Sequence, residues 1–193
     1  MTPMTAFLLG ILATALCVWV LSRRASFLAQ SPEDYASGPT FDLRQHLNGP
    51  IACDGIIYGP TGRVSSRFTA DFHAEWDGNT GRMSEHFRYD SGTKQDRLWH
   101  LALDDAGNIE ASADDLVGKG TGKQIGSGVR LSYRIQLPDS AGGHVLDVVD
   151  WMYLLDNGTI MNRSQFRKYG IQVAELVATM RPVRDSENRQ EAA

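Results

Sequence analysis

The sequence predicts an all-β fold: one antiparallel up-and-down β-barrel of about ten strands, preceded by one N-terminal transmembrane helix. Three observations predict it. An uncharged apolar run opens the chain, period-two alternation of apolar and polar residues fills most of the rest, and Gly, Asn and Asp clusters interrupt that alternation at hairpin spacing. No helix-length amphipathic segment separates the strands, which excludes a parallel sheet with crossover helices. Ten sequential strands leave costly open edges unless the sheet closes, so a barrel is favoured, with a two-sheet sandwich as the alternative.

The opening run, Ala6 to Leu21, carries no charge. With its flanks it reaches about 20 residues, enough at ~1.5 Å per residue to cross the hydrocarbon core. No basic segment precedes it and no clean Ala-x-Ala site follows it, so residues 1–24 read as a retained membrane anchor rather than a cleaved signal peptide. Leu16 stands before Cys17, where a lipidation signal wants a small residue. Arg23 and Arg24 follow the run and favour a cytoplasmic domain. Residues 25–40 show neither helical nor strand periodicity and read as a linker.

The barrel domain is expected over 41–183, after a short helical turn at Phe41–Leu47. Its runs are Ile51–Tyr58, Val64–Trp76, Arg82–Asp90, Gln95–Leu103, Ile109–Ala113, Leu116–Ile125, Val129–Leu137, His144–Leu155, Thr159–Phe166 and Ile171–Met180. The second sets Phe68, Ala70, Phe72, Ala74 and Trp76 against Arg67, Thr69, Asp71, His73 and Glu75. One face is therefore buried and the other wet, as an antiparallel sheet requires. The tail 184–193 is polar and is expected to be disordered.

Composition removes several function classes. A formal net charge of -4 and the lack of a basic stripe interleaved with aromatics argue against nucleic acid as a partner. Cys17 lies in the apolar run and Cys53 in the soluble domain, so no intrachain disulfide is expected. The five histidines have no metal-ligand spacing, and no metal site or cofactor is expected. Gly118-Lys119-Gly120-Thr121-Gly122-Lys123 falls short of a phosphate loop, because Val117 occupies the first glycine position and Gln124 the Ser or Thr position. Asp114 and Asp115 point to opposite faces if extended and are read as a solvated turn.

Several strings resemble a bacterial family called domain of unknown function 3833. They are FDLRQHLNGP (41–50), RFTADFHAEWDGNTG (67–81), FRYDSG (87–92), ADDLVGKGTG (113–122), DWMYLLDNGTIMNRS (150–164) and KYGIQV (168–173). The resemblance implies a lipocalin-like barrel associated with the bacterial envelope, on its periplasmic side, and it implies no activity. The N-terminus departs from the family's lipoprotein pattern. A single-pass protein of the bacterial inner membrane is therefore expected, with the arginines and the family pointing to opposite sides.

Polar residues on an apolar barrel face are costly unless paired, so they are the first places to seek a site. Glu85 shares its face with Met83, Phe87 and Tyr89. Arg97 lies with Trp99 and Leu101, Asn162 with Ile160 and Phe166, and Glu175 with Ile171, Val173 and Val177. Together with Tyr133 and Trp151 these are the candidate ligand-binding residues, orienting the polar head of a lipid or other apolar small molecule. The competing reading is a buried ion pair and amide that fix barrel register. Three functions follow: a non-enzymatic ligand-binding barrel, a filled barrel recruiting an envelope partner that the sequence does not identify, or an enzyme of lipid or envelope metabolism using buried carboxylates. No catalytic motif is present.

Overall fold

A computed structural model of the chain describes residues 2–24 and 26–183; the expected disorder of the tail lies outside the described residues. Helix α1 spans Pro3–Arg24 and is apolar over Pro3–Leu21, long enough to cross a membrane and equally compatible with a signal sequence. The strands are β1 Gly49–Tyr58, β2 Val64–Asp77, β3 Thr80–Tyr89, β4 Lys94–Leu103, β5 Asn108–Ser112, β6 Gly120–Ile125, β7 Gly128–Gln136, β8 Val145–Leu154, β9 Ile160–Lys168 and β10 Ile171–Pro182. They form one closed antiparallel barrel in sequential order, sealed where β1 pairs with β10. Closure leaves no sheet edge unpaired.

Each expected run is a strand, and the largest displacement is in the sixth. Its start, expected at Leu116, lies at Gly120, because Leu116 forms only an isolated bridge to Ile135 beside the turn at Asp114–Asp115. Alternation holds on β2, where Phe68, Ala70, Phe72 and Ala74 are buried between exposed polar neighbours.

One end of the barrel is stoppered. Helix α2, Leu43–His46, begins at Asp42, whose carboxylate accepts the Arg44 backbone N–H at 3.0 Å and pairs with the Arg44 guanidinium at 2.9 Å. Phe41, Leu43 and Leu47 are almost wholly buried. Each such burial contributes on the order of 1.5–3 kcal/mol. The Trp76 indole N–H donates to the Leu47 carbonyl at 2.8 Å, and the Phe41 N–H donates to the Gly126 carbonyl at 2.7 Å. This plug sits at the end that carries the β2–β3, β4–β5, β6–β7 and β8–β9 turns.

Residues 26–40, expected to be a linker, form a strap on the outer wall instead. Its 3-10 turns, Phe27–Ala29 and Pro32–Tyr35, lack the periodicity that sequence patterning detects. Packing holds them: the Tyr35 ring meets Trp151 and Tyr153 edge-on at 5.2 and 5.0 Å, and the Tyr35 carbonyl accepts the Ser127 N–H at 3.0 Å. Gln30 Oε1 accepts from the Tyr153 hydroxyl at 2.9 Å and from the Tyr35 hydroxyl. Only glycine fits at 126, where φ is +53° and a Cβ would lie 2.1 Å from the Tyr35 carbonyl oxygen.

Candidate ligand-binding site in the barrel lumen

Inward residues of the strands enclose a cavity of about 110 Å³. Its apolar lining includes an aromatic cluster, with Phe87 packed edge-on against Phe68 at 5.3 Å and against Phe72 at 5.5 Å. Six polar side chains interrupt that lining: Glu85, Arg97, Tyr133, Asp150, Asn162 and Ser164.

Glu85 on β3 and Arg97 on β4 are register partners, so both project into the lumen from adjacent strands. The Arg97 guanidinium lies 4.1 Å above the Trp99 ring, and Trp99 in turn packs edge-on against Tyr133 at 5.3 Å. Arg97 Nε donates to Asp115 Oδ1 at 3.1 Å, whereas Arg97 Nη2 is buried with no partner. Asp114 and Asp115 do form a turn, with Asp114 exposed, but Asp115 also reaches back from it to pair with Arg97. Leaving a buried charged donor unsatisfied is costly.

Burial pushes the Glu85 carboxyl up to about 7, and the Arg97 charge and the Trp99 indole pull it back only part of the way. Asp150 is also raised by burial, although Ser164 and Asn162 hydrogen-bond to it and oppose the shift. The Ser164 hydroxyl donates to Asp150 Oδ1 at 2.8 Å; the Asn162 amide donates to the same oxygen and to the Trp151 carbonyl at 3.0 Å. Burial likewise pushes the Tyr133 phenol and the Cys53 thiol upward, which keeps both neutral. Among the described residues no cluster of three or more His, Cys, Asp or Glu could hold a metal ion.

Of the six residues singled out in the sequence, the structure brings Glu85, Arg97, Tyr133 and Asn162 together in the lumen and places Trp151 and Glu175 outside it. Trp151 alternates with the inward residues Asp150 and Met152, so it faces the outer wall, where Tyr35 covers it. Glu175 is displaced by a bulge between Gln172 and Ala174, which exchanges the faces of β10 and turns Leu176, Ala178 and Met180 inward. Its carboxylate accepts from Arg163 Nε at 2.7 Å and from Gln165 Nε2 at 3.1 Å on the outer wall. Asp150 and Ser164 were missed, although the spacing Leu146, Val148, Asp150, Met152, Leu154 already placed Asp150 on an apolar face.

A closed ten-strand antiparallel barrel with a polar cluster inside an apolar lumen defines the lipocalin-like class of fold. The chain belongs to the family described as protein of unknown function (DUF3833), which matches residues 22–182. No curated protein matches the sequence. Among solved structures, the S-type phycobiliprotein lyase CPES from Guillardia theta is similar at TM-score 0.57 and 11% identity, covering 81% of this chain and 99% of its own. Rv2717c from M. tuberculosis is similar at TM-score 0.53 and 16% identity, covering 77% and 99%. At these identities the likeness shows the fold alone.

Proposed function

We propose that this protein is a membrane-anchored, lipocalin-like carrier that binds a lipid or another small apolar molecule at the bacterial envelope. The aromatic and methionine lining takes the apolar part, and the polar cluster takes a head group bearing a hydrogen-bond acceptor. One observation carries this reading: Arg97 Nη2 is buried without a partner beside Glu85, at a cavity of about 110 Å³. An acceptor oxygen bound there satisfies the guanidinium and receives the Glu85 proton as a second hydrogen bond. The enclosed volume admits a short apolar group. Drug-sized ligands occupy about 300–1,000 Å³, so a full acyl chain enters only as Phe68, Phe72 and Phe87 change rotamer. In this reading α1 is the retained anchor in the inner membrane, and the strap holds the barrel to it.

Native mass spectrometry of the full chain, purified from its own host in lipid nanodiscs, tests the proposal. A discrete small-molecule mass retained by the wild type and lost from a folded Arg97→Met variant supports it. A clean apo mass from both overturns it in favour of an interaction module.

The second reading, an enzyme using buried carboxylates, is favoured by Glu85 and Asp150, both shifted upward within one lumen. It predicts that the bound molecule is chemically altered by the wild type and recovered intact from Glu85→Gln.

A further inference from the structure

We propose that the end of the barrel opposite α2 seats in the surface of a lipid bilayer, led by the β9–β10 hairpin tip. This rests on the reading of α1 as a membrane anchor and adds a second contact that the anchor does not require.

The two ends of the barrel differ in chemistry. At the far end, Tyr169 in the β9–β10 turn and Ile171 at the start of β10 are 91% and 70% exposed, and Val64 at the start of β2 and Val117 in the β5–β6 connection are exposed. At the plug end the exposed large apolar residue among those described is Leu155. The connections at the two ends and their flanks carry equal numbers of aspartates, Asp77, Asp104, Asp105 and Asp156 here and Asp90, Asp114, Asp115 and Asp139 at the far end, but these turns hold no Lys or Arg whereas the far-end connections add Arg63 and Lys119. Anionic lipid therefore meets a more negative charge balance at the plug end than at the far end. The β9–β10 tip instead follows Arg167 and Lys168, with Lys168 Nζ 5.7 Å from the Tyr169 ring centroid and Arg167 Nη1 donating to the Gly170 carbonyl at 2.8 Å. An amphipathic aromatic ring beside basic groups suits the headgroup layer.

The backbone gives an independent sign. Tyr169 has φ 53°, the only positive value at a described non-glycine residue. A hairpin of this kind prefers Asn, Asp or Gly there. Tyrosine neither eases the turn nor buries its ring, so the folding of the hairpin does not account for it, whereas a contact outside the protein does.

The strap points the same way. It leaves the plug end at Tyr35, against Trp151 and Tyr153, and reaches Phe27, whose ring lies 4.9 Å from the Arg163 guanidinium further along β9. From Arg163 the strand continues roughly 20 Å to Tyr169 at ~3.3 Å per residue. From Phe27 the chain needs at most about 10 Å to reach Arg24, the end of α1. Arg163 stands three residues from Ile160 at the plug-end start of β9 and six from Tyr169, so the strap climbs away from the plug end and stops short of the apolar rim.

Spin labels on the full chain test this. Ile171→Cys, Val64→Cys and Leu155→Cys are each made with Cys17→Ser, while Cys53 stays buried. The proteins are placed in vesicles of phosphatidylethanolamine and phosphatidylglycerol, and collision with oxygen and with a nickel chelate is read by EPR. The expected result is that labels at 171 and 64 are several-fold less accessible to nickel and more accessible to oxygen than the label at 155. Equal nickel access at all three sites, in protein that resists alkaline extraction, would overturn the rim contact alone. Release of the protein by alkali would overturn the anchor and the rim contact with it.

Discussion

Glu85 and Arg97 stand directly opposite each other on β3 and β4 inside the barrel, yet the guanidinium turns its Nε to Asp115 at 3.1 Å and leaves Nη2 unpaired. Were the pair only a device for fixing strand register, Nη2 would be expected to close on Glu85. The arrangement instead leaves one charged donor and one protonatable acid facing the cavity.

Stability should therefore fall as pH rises. The folded chain keeps the Glu85 proton up to about pH 7, whereas the unfolded chain releases it near the ordinary value of 4.5. Between those values the folded state binds more protons, so stability decreases across the window, by on the order of 3 kcal/mol, and stays lower above it. The raised Asp150 works in the same direction. Urea midpoints measured from pH 4 to 8 should show the decline, and Glu85→Gln should flatten much of it. A midpoint independent of pH in the wild type would contradict this.

The plug is testable by truncation. Leu47→Ala removes a side chain that is 2% exposed. It should cost about 2–5 kcal/mol, the range for a large-to-small core substitution. Trp76→Phe, which keeps most of the ring and loses the bond to the Leu47 carbonyl, should cost about 1 kcal/mol. Denaturant midpoints of both variants provide the check.

Gly55→Ala should couple stability to cavity size. Its Cβ would stand 2.3 Å from the Phe68 ring and 2.9 Å from the Ala178 side chain. Phe68 lines the cavity, so the added methyl drives the ring inward, at a cost of about 1–3 kcal/mol. Ligand retention in native mass spectra should drop along with the unfolding midpoint.

The strap predicts a spectroscopic change. Tyr35→Ala uncovers the otherwise inaccessible Trp151. Tryptophan emission should shift to longer wavelength with the strands intact by circular dichroism. An unchanged spectrum would mean that the strap does not shield Trp151 in solution.

The ten strands were legible because alternation has a fixed period and Gly-Asn-Asp clusters mark where it stops. The same alternation placed Glu85 and Arg97 correctly, as neither strand is interrupted between its ends. Glu175 was misplaced because the bulge after Gln172 shifts the face by one residue, and a bulge leaves no trace in hydrophobic periodicity. Trp151 does not line the lumen because it alternates with Val148, Asp150 and Met152; its burial comes from Tyr35, distant in sequence. The strap was illegible for the same reason, since its order depends on Gln30, Tyr35 and Tyr153 meeting in space. The ion pair between Asp115 and Arg97 depends on the path of a loop that no motif encodes.

Whether the lumen holds a ligand at Arg97 is decided by a crystal structure of the full chain purified without delipidation. The expected result is continuous non-protein density within the barrel, with an acceptor atom about 3 Å from Arg97 Nη2 and an apolar portion against Phe68, Phe72 and Phe87. A lumen occupied only by side chains, or by isolated waters bonded to Arg97, would contradict it.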